Sequence, residues 1–194
     1  SPDAQIQYSS ISRRWNLPAR YYSKTFSIDD DTTNQVLMIF IDTDPFVKKY
    51  YKDEAYKEEV SKQDTAAQKA WLKSVLQNRT SSIKWTIIVG HHPLYTGGKR
   101  LKSDDTMDIL YSFGPLLEQY KVDTYICGHE HNLQYIKPSA SYTHFFVSGA
   151  GSEARQDAQL HPDGGKLAIN DHGFMSFSFT ATEFLMQVSN AQGK

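Results

Sequence analysis

Three short apolar runs, separated by segments of helical periodicity, constrain the fold of this chain most. They are "VLMIFI" at 36–41, "KWTIIVG" at 84–90 and "VDTYICG" at 122–128. Each is nearly continuous rather than alternating, the pattern of a strand covered on both faces. Between the first two, Asp64-Thr65 opens a segment in which Ala67, Trp71, Leu72, Val75 and Leu76 recur at helical spacing. Between the second and third, Met107, Leu110, Leu116 and Leu117 mark another helix, which Gly114-Pro115 is expected to divide into two pieces. Strand, helix, strand, helix, strand predicts parallel pairing through helical crossovers. Residues 48–62, charged and tyrosine-rich, read as a solvated helix or loop.

The tail has a different grammar. "SYTHFFVSG", "GFMSFSFTA" and "EFLMQVS" alternate partly with period 2 and have no long helix between them, which predicts antiparallel strands. With no internal repeat or low-complexity linker, residues 1–194 read as one α/β domain with a mixed sheet or two sheets packed face to face. Its 194 residues, 39% of them hydrophobic, suffice for a sizeable core and argue against disorder. Twenty-one basic and 22 acidic residues give a net charge of -1, no basis for expecting nucleic acid or an anionic membrane as partner. No apolar stretch approaches the ~20 residues that span a bilayer. Cys127, the one cysteine, rules out an intrachain disulfide and a Cys-rich metal cluster, and reads as a buried inert thiol. The chain opens on Ser1-Pro2-Asp3 without a signal-peptide pattern, as a processed product or a fragment would.

Sites in open α/β sheets form outside the carboxyl ends of the strands. His91-His92-Pro93 follows "TIIVG", Gly128-His129-Glu130-His131-Asn132 follows "TYIC", and Ser148-Gly149-Ala150-Gly151 follows "HFFV". The histidine clusters end strands joined by a crossover, so His91, His129 and His131 are candidate metal ligands, with imidazole suited to Zn, Fe and, less strongly, Mn. In an extended segment His129 and His131 point the same way and Glu130 points away. They can bind one ion or flank a pair. The glycine before each cluster is expected to let the backbone turn sharply. A hydrolytic metal pair also calls for carboxylates; Asp42 and Asp44 are the strand-end acids upstream, but the Pro45 that follows at once favours reading them as turn residues. On these residues alone the site is short of ligands.

The chain resembles the purple acid phosphatases of the calcineurin-like metallophosphoesterase superfamily, above all the small tartrate-resistant type. The resemblance rests on "RRWNLPARYY" (13–22), "IDTDPF" (41–46), "QKAWLKSVL" (68–76), "VGHHPLYTGG" (89–98), "CGHEHNLQYI" (127–136), "FVSGAGSE" (146–153) and "HGFMSF" (172–177), in family order. It implies a mixed β-sandwich flanked by helices, an αββα fold. It implies a dinuclear centre of Fe(III) with Zn, Mn or Fe(II), with His91 and His129 on the divalent ion and His131 on the ferric one. The implied reaction is hydrolysis of phosphate monoesters by a metal-bound hydroxide. Substrates of that class are phosphorylated small molecules or phosphoproteins, and family habit makes the location secreted or periplasmic. Other activities of the superfamily, on diesters or nucleotides, and a noncatalytic or single-metal domain are the alternatives.

The family's other ligands come from DxGD, GDxxY and GNHD blocks, which are absent here. The chain therefore reads as the C-terminal part of a metallophosphoesterase domain, inactive or nearly so alone, with the missing N-terminal segment as its partner. The family histidine beyond GHxP also has no counterpart in Tyr95-Thr96-Gly97-Gly98-Lys99-Arg100. His92 is the candidate for the general acid, against a purely structural role. Lys99 and Arg100 offer charge to phosphate or form a solvated loop. Asn132 is a candidate for holding a ligand imidazole in its tautomer. His144, His161 and His172 have weaker claims.

Overall fold

The computed structural model describes residues 2–193. A seven-stranded mixed sheet contains β1 (Tyr22–Ile28), β2 (Asp31–Phe40), β3 (Ile83–Val89), β4 (Thr124–Cys127), β5 (Leu133–Ile136), β6 (His144–Ser148) and β7 (Gly165–Ile169), in the order β1-β2-β3-β4-β6-β5-β7. A second sheet pairs β8 (Gly173–Phe179) with β9 (Phe184–Asn190). The helices are α1 (Pro2–Tyr8), α2 (Lys57–Ser61), α3 (Thr65–Gln77) and α4 (Asp104–Gln119). The expected mixed α/β fold, with helices flanking a large sheet, is what forms.

β2, β3, β4 and β6 run parallel, so their carboxyl ends lie along one edge. The crossovers through α3 and α4 put both helices on the same face. There Leu72 and Leu76 of α3, and Ile109, Phe113 and Leu117 of α4, pack on Leu37, Ile39, Ile88, Tyr125 and Val147 of the strands. The β8–β9 pair covers part of the opposite face: Met175, Phe177, Phe184 and Met186 meet Leu133 and Phe146. Trp85 Nε1 donates to the Thr180 carbonyl at 2.7 Å and ties β3 to the β8–β9 turn.

The α3 boundary follows from its cap. The Asp64 carboxylate accepts the Ala67 N–H at 2.9 Å, satisfying one of the free donors of the first turn. Asp64→Ala is expected to lower the unfolding free energy by about 1 kcal/mol, checked by urea denaturation. The buried stripe of α3 differs from the expected one: Ala67 is exposed, while the polar Gln68 is buried. Gln68 has a polar partner inside. Its Oε1 accepts the Asp42 N–H at 2.9 Å and its Nε2 donates to the Asp42 carbonyl at 3.1 Å, clamping the chain just beyond β2.

Other expectations are corrected by packing. Gly114-Pro115 does not divide α4, which runs unbroken from Asp104 to Gln119. Tyr111, four residues before the proline and the one whose carbonyl loses its donor, is exposed, so water can serve that carbonyl. The buried face of α4 carries Asp105, Ile109, Phe113 and Leu117 at strict i+4 spacing, joined by Thr106 and Asp108, with Met107, Leu110 and Leu116 at its margins. Residues 48–62 form a 3₁₀ turn over Lys48–Lys52 and the short α2, and the segment is not simply solvated, because Tyr50 and Val60 are buried. In the tail, β8 and β9 are antiparallel as expected, but β6 lies parallel to β4 and antiparallel to β5. β5, within "NLQYI", is a strand that the sequence reading did not separate from the histidine motif.

Candidate metal centre

The carboxyl ends of β2, β3 and β4 deliver Asp42–Asp44, Gly90–His92 and Gly128–His131 to one edge. Backbone bonds lock the three ends in register: Ile41 N–H donates to Val89 O at 2.9 Å, Gly90 N–H to Ile126 O at 3.1 Å, and Gly128 N–H to His91 O at 3.2 Å. The two glycines do different work from that expected. A Cβ on Gly90 would stand 2.3 Å from the Tyr125 hydroxyl, so the close approach is real there. Around Gly128 the nearest atom would be 4.0 Å away. The left-handed turn falls instead on His129, at φ 65.

That turn overturns the period-2 expectation for His129 and His131. His129 swings toward β3, where its Nδ1 lies 3.0 Å from His91 Nε2. His131 faces the loop after β6, with Nδ1 2.8 Å from Glu153 Oε2 but outside hydrogen-bonding geometry. Glu130 does face away, into full burial, and is held by the Arg100 backbone N–H and guanidinium, each at 3.0 Å. Arg100 is thus an internal partner rather than a free charge, whereas Lys99 is exposed.

The pair fits a metal ion. Two nitrogens about 2.0–2.1 Å from one ion stand about 2.9–3.4 Å apart at angles near 90–110°, and His91 Nε2 and His129 Nδ1 meet that span at 3.0 Å. His129 Nε2 is buried without a hydrogen bond and lies 3.5 Å from Asp105 Oδ2, the arrangement in which a carboxylate orients a ligand imidazole. Asp105 is 2% exposed, is also 2.8 Å from Lys49 Nζ, and has its pKa driven well down by His129 first, then by Lys49. His91 keeps an open edge, yet desolvation against the cleft wall, followed by His129, lowers its pKa to about 4. It is therefore a neutral donor even in mild acid.

His92 is placed differently. One nitrogen each of His91, His92 and His129 falls within 4.8 Å of the others. The His92 ring is nevertheless fully buried, with Nδ1 2.8 Å from Thr43 Oγ1 and Nε2 2.9 Å from the Tyr50 hydroxyl. Its carbonyl accepts the Tyr125 hydroxyl at 2.7 Å. Burial, then His129 and His91, lowers its pKa to about 2. The single N–H and the lone pair of this neutral, fully buried ring are both engaged by Thr43 and Tyr50, away from any leaving group in the cleft. The geometry makes His92 a positioning residue joining the ends of β2 and β3.

Asp42 and Asp44 line the same cleft as His91 and His129, with Arg20, Tyr50 and Tyr56; its volume is about 580 Å³. Asp44 opens a 3₁₀ turn, as Pro45 suggested, so the acids are turn residues by backbone and cleft residues by side chain. Burial, then the neighbouring Asp42, raises the Asp44 pKa to about 6.

Residues 3–133 match the family described as calcineurin-like phosphoesterase. The chain belongs to the calcineurin-like phosphoesterase family. Among its relatives, purple acid phosphatase 17 of Arabidopsis thaliana is 32% identical over 191 residues, which cover 93% of this chain and 54% of the relative. Tartrate-resistant acid phosphatase type 5 of Sus scrofa is 30% identical, over 94% of this chain and 50% of the relative. The chain spans about half the length of the curated relatives it matches. Among solved structures, GAP50, described as the anchor in the inner membrane complex of Plasmodium, superposes with a TM-score of 0.75 at 21% identity, over 100% of this chain and 59% of that one. Purple acid phosphatase PPD1 from yellow lupin seeds gives 0.65 at 16%, over 92% and 33%. These likenesses show the fold alone. The purple acid phosphatase relatives imply a dinuclear metal centre, and of the three histidines expected as ligands the structure brings His91 and His129 together.

Several supporting residues escaped the sequence reading. Asp105 and Tyr50 carry no motif; a charged residue on the apolar stripe of α4 was the available signal for the first. Asn132, the candidate for holding a ligand imidazole, turns instead into a buried polar chain. Its Nδ2 donates to Asp157 at 3.1 Å and its Oδ1 accepts Gln134 Nε2 at 2.7 Å, while Gln134 Oε1 accepts the Gly97 N–H. This chain pins the Thr96–Gly98 loop beside the site. His144 bonds Tyr135 and His161 bonds Asp163. Cys127 is buried, and burial raises its thiol pKa.

Proposed function

We propose that this chain serves as part of a metal-dependent hydrolase of phosphate monoesters, with His91 and His129 holding a divalent ion and His131 a ferric one. The observation that carries this reading is the 3.0 Å approach of His91 Nε2 and His129 Nδ1 at the carboxyl edge of a parallel sheet. Bound there, the ions would polarise a phosphoryl oxygen and make water nucleophilic near neutral pH. His91 presents an uncharged donor, Asp105 orients His129, and the His92–Thr43–Tyr50 bonds hold the strand ends in place. Zn, Mn or Fe(II) suits the divalent position. Phosphorylated small molecules or phosphoproteins are the substrates under this reading, and a secreted or periplasmic location accompanies it.

Three imidazoles do not balance the charge of an ion pair, and bridging carboxylates are the natural complement. We therefore assign the remaining ligands to a further polypeptide segment, such as the length by which the relatives exceed this chain. Alone, this chain is expected to show at most trace turnover. The test is a p-nitrophenyl phosphate assay, with bis(p-nitrophenyl) phosphate in parallel, on this chain and on the full-length product of its gene after metal loading. Monoester turnover by the full-length protein, abolished in His129→Ala, is the expected result. Faster turnover of the diester, or full activity from this chain, would overturn the reading.

A further inference from the structure

Of the six asparagines in the chain, only Asn78 opens an Asn-x-Thr tripeptide, Asn78-Arg79-Thr80. That pattern, with any residue but proline in the middle, is the acceptor for N-linked oligosaccharide, and it is used where it lies on a surface loop. Here it lies just beyond α3, in the connection to β3. The histidines leave the opposite end of β3, about 20 Å away at roughly 3.3 Å per strand residue. A bulky group on this connection leaves the metal centre open.

Local packing sorts the three side chains. Arg79 turns inward: its Nε donates to Leu76 O at 3.0 Å, its Nη1 to Thr86 Oγ1 at 2.8 Å, and its Nη2 to the Tyr120 carbonyl. Asn78 and Thr80, one position to either side, are both exposed. Thr80 O accepts the Ile83 N–H at 3.1 Å, which fixes the backbone, while among the described residues its hydroxyl has no hydrogen-bond partner. Asn78 Nδ2 donates to Ser74 O at 2.9 Å, covering a carbonyl of the last turn of α3. A secondary amide keeps one of the two Nδ2 hydrogens, so this bond survives substitution at the nitrogen.

We propose that Asn78 is an acceptor site for N-linked oligosaccharide, with a lipid-linked oligosaccharide diphosphate as the donor. A bond forms between Asn78 Nδ2 and the anomeric carbon of the first sugar as the bond from that carbon to the diphosphate oxygen breaks. Nδ2 gives up one proton, and the lipid diphosphate leaves with the bonding pair. No oxidant, reductant or further reactant enters. The inference rests on the secreted location proposed above, narrowed to a secretory lumen that supplies this donor, and is independent of the hydrolytic reaction.

The test takes the full-length product of this chain's gene, directed through the secretory pathway of yeast. Its peptides are mapped by mass spectrometry before and after peptide:N-glycosidase F. The peptide carrying Asn78 is expected almost wholly in glycosylated form, and release of the sugar should leave aspartate at that position. Asn78→Gln and Thr80→Ala should each remove the mass of one glycan from the intact protein, whereas Thr80→Ser, which keeps the acceptor pattern, should retain it. Circular dichroism and urea unfolding establish that the variants fold. A secreted parent with Asn78 unmodified would overturn the inference, as would an intact glycan mass unchanged by Asn78→Gln. Mapping the protein from its native cells tests the location separately: a site occupied in yeast but bare on an intracellular native protein would support the acceptor and overturn the secreted location. A glycosylated protein that hydrolyses no monoester would overturn the phosphatase reading and leave this inference standing.

Discussion

Arg100→Met is expected to lower the unfolding free energy by about 3–5 kcal/mol, the range for breaking a buried ion pair by removing one partner. Glu130 is 0% exposed, and its Oε2 accepts Arg100 Nη1 at 3.0 Å. Methionine keeps much of the arginine stem but leaves that carboxylate without its cation. The remaining donors, the Arg100 backbone N–H at 3.0 Å and Thr96 Oγ1 at 3.4 Å, reach only Oε1. Urea unfolding monitored by tryptophan fluorescence measures the loss. Arg100→Met/Glu130→Gln should recover most of it, because the neutral amide removes the stranded charge. An additive double variant would show that the charge pair is not the source. The damage should also reach the metal centre: Glu130 lies between His129 and His131, and Arg100 Nε stands 3.8 Å from the Asp105 carboxylate that faces His129.

Gly90→Ala is expected to destabilise the fold by about 1–3 kcal/mol through overpacking. The added methyl would stand 2.3 Å from the Tyr125 hydroxyl and 2.9 Å from Thr43 Cγ2. Neither can retreat cheaply, since Tyr125 is 0% exposed and its hydroxyl donates to His92 O at 2.7 Å, while Thr43 is bonded to the His92 ring. The displaced residue is His91, so Co(II) affinity should fall with stability. Tyr125→Phe removes the atom in the way at the expense of one hydrogen bond, worth about 1 kcal/mol. A double-mutant cycle in urea should therefore show coupling, with the pair less destabilised than the sum of the singles. Strict additivity would mean that the backbone yields rather than the ring.

Much of the architecture was legible because its signals are local. The runs 36–41, 84–90 and 122–128 are apolar on both sides because helices cover one face of the sheet and part of the other is covered by the second sheet. The cap at Asp64 carries its own mark in the chain, and parallel pairing followed from handed crossovers between buried strands. What misled the reading was context. Pro115 was tolerated because the carbonyl it deprives lies on an exposed turn, and Gln68 was buried because Asp42 supplied both of its partners. No periodicity encodes either fact.

The candidate site divides in the same way. Glycine-histidine at two strand ends, in family order, named His91 and His129 and the edge where they meet, since a parallel sheet brings consecutive carboxyl ends together whatever the helices between them contain. Tertiary structure alone decided the aim of each side chain. A left-handed turn at His129 separates it from His131, packing closes over His92 and occupies both its nitrogens, and Arg100 is spent on Glu130. Among the described residues the Asp44 carboxylate accepts no hydrogen bond, and the His92 nitrogen 3.8 Å away is already bonded to Thr43. Residue type and spacing determine which groups can reach a strand end; torsion angles and the competition for hydrogen-bond partners, both set by residues distant in sequence, determine which of them face the cleft.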